Sequence, residues 1–231
     1  MSHPYTEDAL EASTMDLFES LGWDSANGYE EAQGPTAVTG RENLGEALLP
    51  VRLADALRRL NPDLPSEAFD GAVEALSADR SVMTLARANE DFYRLLRDGV
   101  KVPIDDGEGG ETVETVRVID WDNPGTNDFY AVRQLWVSGA EGYKRRPDVV
   151  GFVNGIPLVL MELKASHVNL ESGFTGNVAD YKDTIPQLFW PNALVIVSNG
   201  SDARVGSVSA AWEHYASGRR STRRGSRASF P

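Results

Sequence analysis

Several residue types and motifs are missing or scarce in this chain of 231 residues. It has no cysteine, which excludes disulfides and thiolate metal sites and suits a reducing cytoplasm. Its three histidines, His3, His167 and His214, lie far apart in the sequence without metal-ligand spacing, and we interpret His167 as a solvated loop residue. No Gly-x-x-x-x-Gly-Lys-Ser/Thr motif is present, so the sequence offers no visible ATP site.

The sequence also lacks any membrane signal. No apolar run approaches transmembrane length, and the opening Met-Ser-His-Pro-Tyr-Thr-Glu-Asp is not that of a signal peptide. We therefore expect a cytoplasmic protein without a membrane partner.

Positive charge is scarce, with a formal net charge of −13. This balance argues against a protein that grips nucleic acid with its whole surface. An acidic surface is typical of proteins from a high-salt cytoplasm, which is the interpretation we favour. The run Lys144-Arg145-Arg146 would be a local basic patch, although an ordinary charged turn is an equally good interpretation.

The most informative segment begins at Arg146-Pro147-Asp148 and ends at Glu162-Leu163-Lys164. Between these ends lie two apolar runs separated by Asn154-Gly155, which predicts a β-hairpin. Two carboxylates and an ammonium at one end of a hairpin suit metal-assisted phosphodiester hydrolysis. A purely structural hairpin with solvated polar ends is the alternative.

The turn decides whether the two acids can meet. Side chains alternate along a strand, so Glu162 and Lys164 share a face, and Asp148 joins them only if it lies opposite Glu162. A loop with an odd number of residues centred on Gly155 gives that register, whereas a two-residue Asn154-Gly155 loop places Asp148 opposite Met161. We therefore predict a three- or five-residue loop, with a bulge elsewhere in the hairpin as the alternative.

The first predicted helix carries a further acid. Thr6 is a suitable N-cap, and Gly22 a suitable end. The predicted apolar stripe is Leu10, Leu17, Phe18 and Leu21. Glu11 lies beside this stripe, where a buried charge needs a partner, although an acid at the edge of the stripe that reaches solvent is equally plausible.

The remaining pattern predicts an α/β fold, a mixed β-sheet flanked by helices. A helical part is expected over residues 1–100 and the catalytic sheet over 101–206, within one domain of residues 1–215. Helices are predicted at Asn43–Leu60 with Pro50 kinking or splitting it, after Ser66, at Leu85–Arg97 and at Val178–Leu188. Strands are predicted at Val113–Ile119 after a loop at Asp105–Gly110, at Phe129–Val137 and at Leu194–Val197.

Longer blocks around the hairpin support a family resemblance. They are Asn127–Gln134, Arg146–Lys164, Tyr181–Phe189 and Leu194–Gly206. In this order the blocks resemble the PD-(D/E)xK nuclease superfamily, and specifically the amino-terminal nuclease domain of the R subunit of type I restriction-modification enzymes. The resemblance covers nearly the whole chain and implies a restriction-endonuclease-like core.

The resemblance also implies roles for individual residues. Asp148 and Glu162 would bind Mg²⁺ or Mn²⁺, Glu11 would be the metal-binding acid of the first helix, and Lys164 would assist the attacking water. The family's Gln-x-x-x-Tyr pair reads Asn177 to Tyr181 here, and Asn is one methylene shorter than Gln. Gln134 and Arg146, from the matching blocks, would support the site or contact DNA.

Partners and limits follow from the same resemblance. The expected partners are double-stranded DNA and the modification (M) and specificity (S) subunits, with ATP used only by motor domains absent from this chain.

Residues 216–231 contain five arginines and no acid, which favours a frameshifted or truncated end over a nucleic-acid-binding arm. Two alternatives remain: a catalytically silent remnant or assembly module of the same complex, and an unrelated halophilic binding protein with a structural hairpin.

Overall fold

The computed structural model describes residues 6–30, 34, 37–105, 107, 109–140 and 142–218. The α-helices are α1 (Glu7–Ser20), α2 (Pro50–Leu60), α3 (Ser66–Ser77), α4 (Leu85–Asp98), α5 (Leu170–Ser172) and α6 (Ala179–Thr184). The strands are β1 (Asp24–Asn27), β2 (Val100–Asp105), β3 (Glu111–Val116), β4 (Phe129–Arg133), β5 (Val137–Ser138), β6 (Lys144–Arg145), β7 (Val149–Val153), β8 (Ile156–Leu163), β9 (Leu194–Ser198), β10 (Ala203–Gly206) and β11 (Ala216–Ser217). Within the described residues, no helix is long and apolar enough to cross a membrane.

A seven-stranded mixed sheet organises the fold, in the order β1-β4-β7-β8-β9-β10-β11. The pairs β1–β4 and β8–β9 are parallel and the other neighbours are antiparallel. Helix α1 packs near one end of the sheet, while α2, α3 and α4 form a second core with the separate β2–β3 hairpin. The predicted α/β architecture with a mixed sheet is confirmed, and strand β1 shows that the first hundred residues also contribute to the sheet.

Helix α1 begins as predicted but buries a different face. The Thr6 hydroxyl accepts a hydrogen bond from the Ala9 amide, and Gly22 follows the helix with φ of 86°. Leu17 and Leu21, expected in the apolar stripe, are exposed, so this part of the prediction is wrong. The buried face is Leu10, Glu11, Thr14 and Met15, with the predicted Phe18 packed partly buried against it, so Leu17 and Leu21 lie on the exposed side of the helix.

The predicted helix at Asn43–Leu60 is wrong before Pro50. Proline occupies the first helical position of α2, where its missing N–H costs nothing. Leu49 is held extended, as expected for a residue before proline, and its amide donates to the Gly155 carbonyl. Helices α3 and α4 lie where predicted, and Gly99 ends α4 with φ of 78°.

Three other boundaries differ from the prediction. Strand β3 ends at Val116 and not at Ile119; it does pair with β2 across the predicted loop, of which residues 106 and 108 lie outside the described part. The single strand predicted at Phe129–Val137 is broken at Gln134, whose φ is 57°. The helix predicted at Val178–Leu188 is the short α6 followed by a 3₁₀ turn at Pro186–Leu188, and the helical segment starts earlier than predicted, with α5 and a π-helix at Gly173–Val178.

The β7–β8 hairpin brings Asp148 opposite Glu162 by a bulge, the alternative to the predicted longer loop. Val153 pairs with Ile156, so the loop has only two residues, and the predicted three- or five-residue loop is wrong. Asn154 and Gly155 have φ of 52° and 77°, as in the type I′ turn that such sequences favour. A register shift between Gly151 and Phe152 then inserts Leu158 as an extra residue, so Val149 pairs with Met161. Continued by one residue, this register sets Asp148 opposite Glu162.

Asn154 anchors this turn to the rest of the domain. It is fully buried, and its side-chain amide donates to the Val118 carbonyl and to Oδ1 of Asn127, both at 2.8 Å. Its Oδ1 accepts from the Asp128 amide at 2.8 Å and from Arg59 at 3.2 Å. The left-handed backbone of Asn154 is therefore supported by a fully used side chain.

We expect Gly155→Ala to destabilise the fold by about 3 kcal/mol or more. A Cβ at this position would lie 2.7 Å from both the Leu49 carbonyl oxygen and the Leu53 amide nitrogen, on a backbone with φ of 77°. Gly22→Ala is the matched control, because φ is 86° there but nothing lies within 4 Å. Its cost should be only about 1 kcal/mol. Equal losses in urea denaturation would contradict the role assigned to the α2–hairpin contact.

Candidate functional site

The open end of the hairpin brings Asp148, Glu162 and Lys164 together. Oδ2 of Asp148 accepts a hydrogen bond of 2.6 Å from the Leu163 amide, which fixes this carboxylate against strand β8. Nζ of Lys164 lies 2.6 Å from Oε1 of Glu162. The Lys164 amide also donates to the Ser198 carbonyl of β9, so the neighbouring parallel strand holds the end of β8 in place.

These groups are more buried than polar strand ends usually are. Glu162 is 0% exposed and the Lys164 side chain 14%. Gly173, in the π-helix, allows this packing, because a Cβ there would lie 3.3 Å from both Cγ and Cε of Lys164. A buried ammonium and carboxylate are expensive to desolvate, and the hairpin would be more stable with apolar residues in their place. Their placement therefore favours a functional role over a structural one.

Glu11 of α1 reaches the same region through Gln134. It is only 4% exposed, and its Oε1 accepts a hydrogen bond of 2.5 Å from the Gln134 side-chain amide. The Gln134 backbone amide donates to the Asp148 carbonyl at 2.8 Å, so one residue holds both acids. Gln134 adopts φ of 57°, which is uncommon for a residue with a side chain and typical of functional sites.

Asn177 and Tyr181 lie on the helical segment that covers the site. The Asn177 side-chain amide donates to the Tyr181 hydroxyl at 3.4 Å, a long bond that agrees with its short side chain. Tyr181 is buried, and its hydroxyl lies close enough to the Glu162 carboxylate to influence the pKa of that group. π-Helical turns occur often at functional sites, and this one places Asn177 and Gly173 beside the hairpin.

Arg146 is not part of the Asp148–Glu162–Lys164 cluster, and only Lys144 of the run Lys144-Arg145-Arg146 is fully exposed. The Arg146 guanidinium packs 4.7 Å from the Tyr29 ring centre and 5.0 Å from that of Trp136. Burial raises the pKa of Glu11, and the charge of Arg146 offsets a small part of that rise. Arg145 forms a two-point ion pair with Asp180. Lys144 is exposed, so the predicted basic patch consists of Lys144 and the outer face of Arg146.

Sequence reasoning missed Glu7, one helical turn before Glu11. Its carboxylate accepts a hydrogen bond of 3.3 Å from the Ala165 amide, just beyond Lys164. Its charge raises the pKa of both Asp148 and Lys164. The available signal was the spacing of four from Glu11, which puts both acids on one side of the helix. His167, as expected, is exposed.

Burial and mutual repulsion shift the ionisation of the two hairpin acids. Desolvation raises the pKa of Asp148 from 3.8 to about 6. Desolvation, with the charge of Asp148, raises the pKa of Glu162 from 4.5 to about 8. Burial acts to lower the pKa of Lys164, but Glu162 and Asp148 outweigh it and the net shift is upward. The Lys164 ammonium therefore keeps its proton at neutral pH. Its single positive charge does not offset the burial and mutual repulsion that raise the pKa of both acids.

The residues fit an oxygen-ligated divalent cation that completes its coordination from outside the protein. Among the described residues, no three or more His, Cys, Asp or Glu side chains are grouped so as to hold a metal. Yet Oε2 of Glu11 and Oε2 of Glu162 are buried and lack a hydrogen-bond partner. Mg²⁺ is typically bound by one or two carboxylates plus substrate phosphates and water, which suits such an incomplete cluster.

Comparison of the sequence with known proteins identifies its family. Residues 4–214 match the family described as "Type I restriction enzyme R protein N terminus". The type I restriction enzyme HindI endonuclease subunit of Haemophilus influenzae is 38% identical over 213 residues, covering 90% of this chain and 20% of the relative. The putative MjaIXP endonuclease subunit of Methanocaldococcus jannaschii is 28% identical, covering 89% of this chain and 20% of the relative. The chain thus spans about a fifth of the length of the curated relatives it matches.

Without a divalent cation, we expect the stability of the domain to fall as pH rises from about 4 to about 8. Acids whose pKa is raised by folding bind more protons in the folded state, so the stability they contribute is lost as pH passes their folded values, about 6 for Asp148 and about 8 for Glu162. Glu162→Gln should therefore stabilise the metal-free protein at pH 8 by about 1–3 kcal/mol and change little at pH 4.

Denaturant unfolding in EDTA at both pH values measures this difference. Exposed Glu171→Gln is the control and should leave the pH dependence unchanged. If Glu162→Gln destabilised the protein equally at both pH values, the ion pair with Lys164 would be a structural one.

Proposed function

Because the chain belongs to the family of type I restriction enzyme R protein N-terminal domains, we propose that it is a metal-dependent nuclease domain that hydrolyses DNA phosphodiester bonds. The observation that carries this proposal is the buried Asp148–Glu162–Lys164 cluster at one end of a single hairpin. Such a site would serve the restriction of foreign DNA. Family membership places the chain among restriction enzymes, and metal-dependent hydrolysis of DNA is the activity that we propose for it.

Each residue of the cluster has a distinct proposed role. Asp148, Glu162 and Glu11 would hold Mg²⁺ or Mn²⁺, and when bound such a cation activates water and offsets charge on the phosphate. Lys164 would donate hydrogen bonds to a phosphate oxygen or to the attacking water, because its ammonium is protonated and held beside Glu162. These carboxylates cost stability unless a cation offsets them, which is typical of a preorganised site.

Neighbouring residues would position this cluster. Gln134 links Glu11 to the backbone of Asp148, so its loss would separate the helix acid from the hairpin acids. Tyr181 closes the site over Glu162, and Asn177 donates to its hydroxyl. Arg146, held between two aromatic rings, would contact DNA at the rim.

The rest of the activity would depend on parts beyond the matched fifth of the relatives. We propose that the domain works with a modification subunit and a specificity subunit on double-stranded DNA in the cytoplasm. ATP would act only through motor domains, since this sequence has no phosphate-binding Gly-x-x-x-x-Gly-Lys-Ser/Thr motif. Cutting by this chain alone is therefore a less direct test than cation binding.

We expect Mn²⁺ to bind the purified chain and expect Asp148→Ala and Glu162→Ala each to reduce its affinity at least about tenfold, as loss of one charged ligand implies. Isothermal titration calorimetry at high salt and pH 8 measures this, because at that pH protons no longer compete for Asp148, with its pKa of about 6, and compete less than at neutral pH for Glu162, with its pKa of about 8. Glu171→Ala removes an exposed acid on the nearby α5 and is the matched control.

Three outcomes separate the alternatives. Binding that depends on both acids, with cleavage of DNA by the chain or its assembled complex, supports the nuclease. Binding with no cleavage in the assembled complex indicates a silent assembly module. Binding that is absent, or equal in folded wild type and variants, leaves the hairpin as a structural element and overturns the proposal.

A further inference from the structure

One row of paired residues crosses the seven-stranded sheet from the site on β8 to the edge strand β11. Glu162 on β8 pairs with Val197 on β9, Val197 pairs with Arg204 on β10, and Arg204 pairs with Ser217 on β11. Paired residues project from the same face of a sheet, so Arg204 and Glu162 share a face. They are two strands apart, about 10 Å at the usual strand spacing.

Arg204 has no acidic partner in this position. Its guanidinium packs 5.3 Å from the Trp212 ring centre and donates to the Tyr215 carbonyl at 3.3 Å. Among the residues that the structure describes, it forms no ion pair, whereas Arg87 and Arg94 both pair with Glu90. Most of the other described arginines lie within ion-pair distance of an acid, and Arg204 belongs to the minority that do not.

Lys182 on α6 is a second cation of this kind. It is half-buried, its Nζ lies 5.2 Å from the Phe174 ring centre, and it too forms no ion pair within the described part of the chain. Burial lowers the pKa of Lys182, as expected for a cation without a carboxylate beside it. An anion from outside the protein would relieve this cost.

Three aromatic rings connect the two cations to the site. Phe174 contacts Tyr215 with ring centres 4.9 Å apart and Trp212 at 5.4 Å, so the rings beneath Lys182 and Arg204 form one cluster. Phe174 follows Gly173, which packs against the stem of Lys164. The two cations are thus held on a rigid base adjoining the Glu162–Lys164 pair.

We propose that Lys182 and Arg204 form a phosphate-binding track that holds the DNA backbone where it leaves the site. The proposal rests on the proposed nuclease function and assigns a DNA-contacting surface to it. The distance of about 10 Å between Arg204 and Glu162 corresponds to about three base-pair steps of 3.4 Å along a DNA strand.

The test is DNA binding by the full chain to a short fluorescent duplex in EDTA, followed by anisotropy over a range of salt concentrations. Lys182→Gln/Arg204→Gln should weaken binding at least about tenfold and reduce the slope of log affinity against log salt by about 2, one for each lost phosphate contact. The control is Lys101→Gln/Arg117→Gln, which removes the same charge from exposed cations on or beside the separate β2–β3 hairpin. It should change both quantities much less.

Equal losses in the two double variants would reflect net charge alone and would overturn the track. Unchanged binding in Lys182→Gln/Arg204→Gln, or no binding by the wild type at low salt, would overturn it as well. If the double variant fails to fold, Lys182→Arg/Arg204→Lys keeps both charges and should retain the wild-type slope; a slope reduced by about 2 would contradict the proposal. Calorimetry with Mn²⁺ separates the two proposals, because the wild type must bind the ion for the nuclease to stand and the Lys182→Gln/Arg204→Gln variant should bind it equally well.

Discussion

The register of one β-hairpin is the constraint on which the candidate site depends. A two-residue Asn154-Gly155 turn would by itself set Asp148 opposite Met161, and Glu162 would then point to the other face of the sheet. The extra residue Leu158 corrects this, so that the Asp148 and Glu162 positions face each other. Bulges that redirect side chains are common next to functional sites. The turn itself is held by Asn154, Gly155 and their contacts with α2, so the register is anchored at the end of the hairpin far from the acids.

Once the acids share a face, electrostatics governs the site. The charges of Glu162, Asp148 and Glu7 all act on the Lys164 ammonium, and one buried carboxylate oxygen each of Glu11 and Glu162 has no hydrogen-bond partner. Folding therefore costs free energy at this end of the sheet, and the second core beneath α2, α3 and α4 compensates with apolar burial. Lys182 and Arg204 supply positive charge close to this end of the sheet, because both rest on the aromatic cluster of Phe174, Trp212 and Tyr215 and neither is paired with a described acid.

The errors of sequence-based prediction are concentrated at positions where tertiary contacts override local preference. Leu17 and Leu21 have the spacing of an apolar stripe, but the helix turns the face of Leu10, Met15 and Phe18 to the sheet and leaves them exposed. Gln134 reads as mid-strand, yet its side chain and amide are used by Glu11 and Asp148, which requires a left-handed backbone. The π-helix at Gly173–Val178 was not predicted, and its Gly173 packs closely against Lys164 and Val197 of β9, which are distant in the sequence.

By itself, the sequence determined the elements whose causes are local. Thr6 caps α1, Gly99 ends α4, Asn154-Gly155 makes a tight turn, and strand periodicity puts Glu162 and Lys164 on one face. The tertiary structure decided what depends on distant contacts: the bulge that brings Asp148 to Glu162, the link from Gln134 to Glu11, the presence of Glu7 beside Ala165, and the row that leads from Glu162 to Arg204. Burial and pairing between residues far apart in the chain set these features, which local sequence patterns alone do not fix.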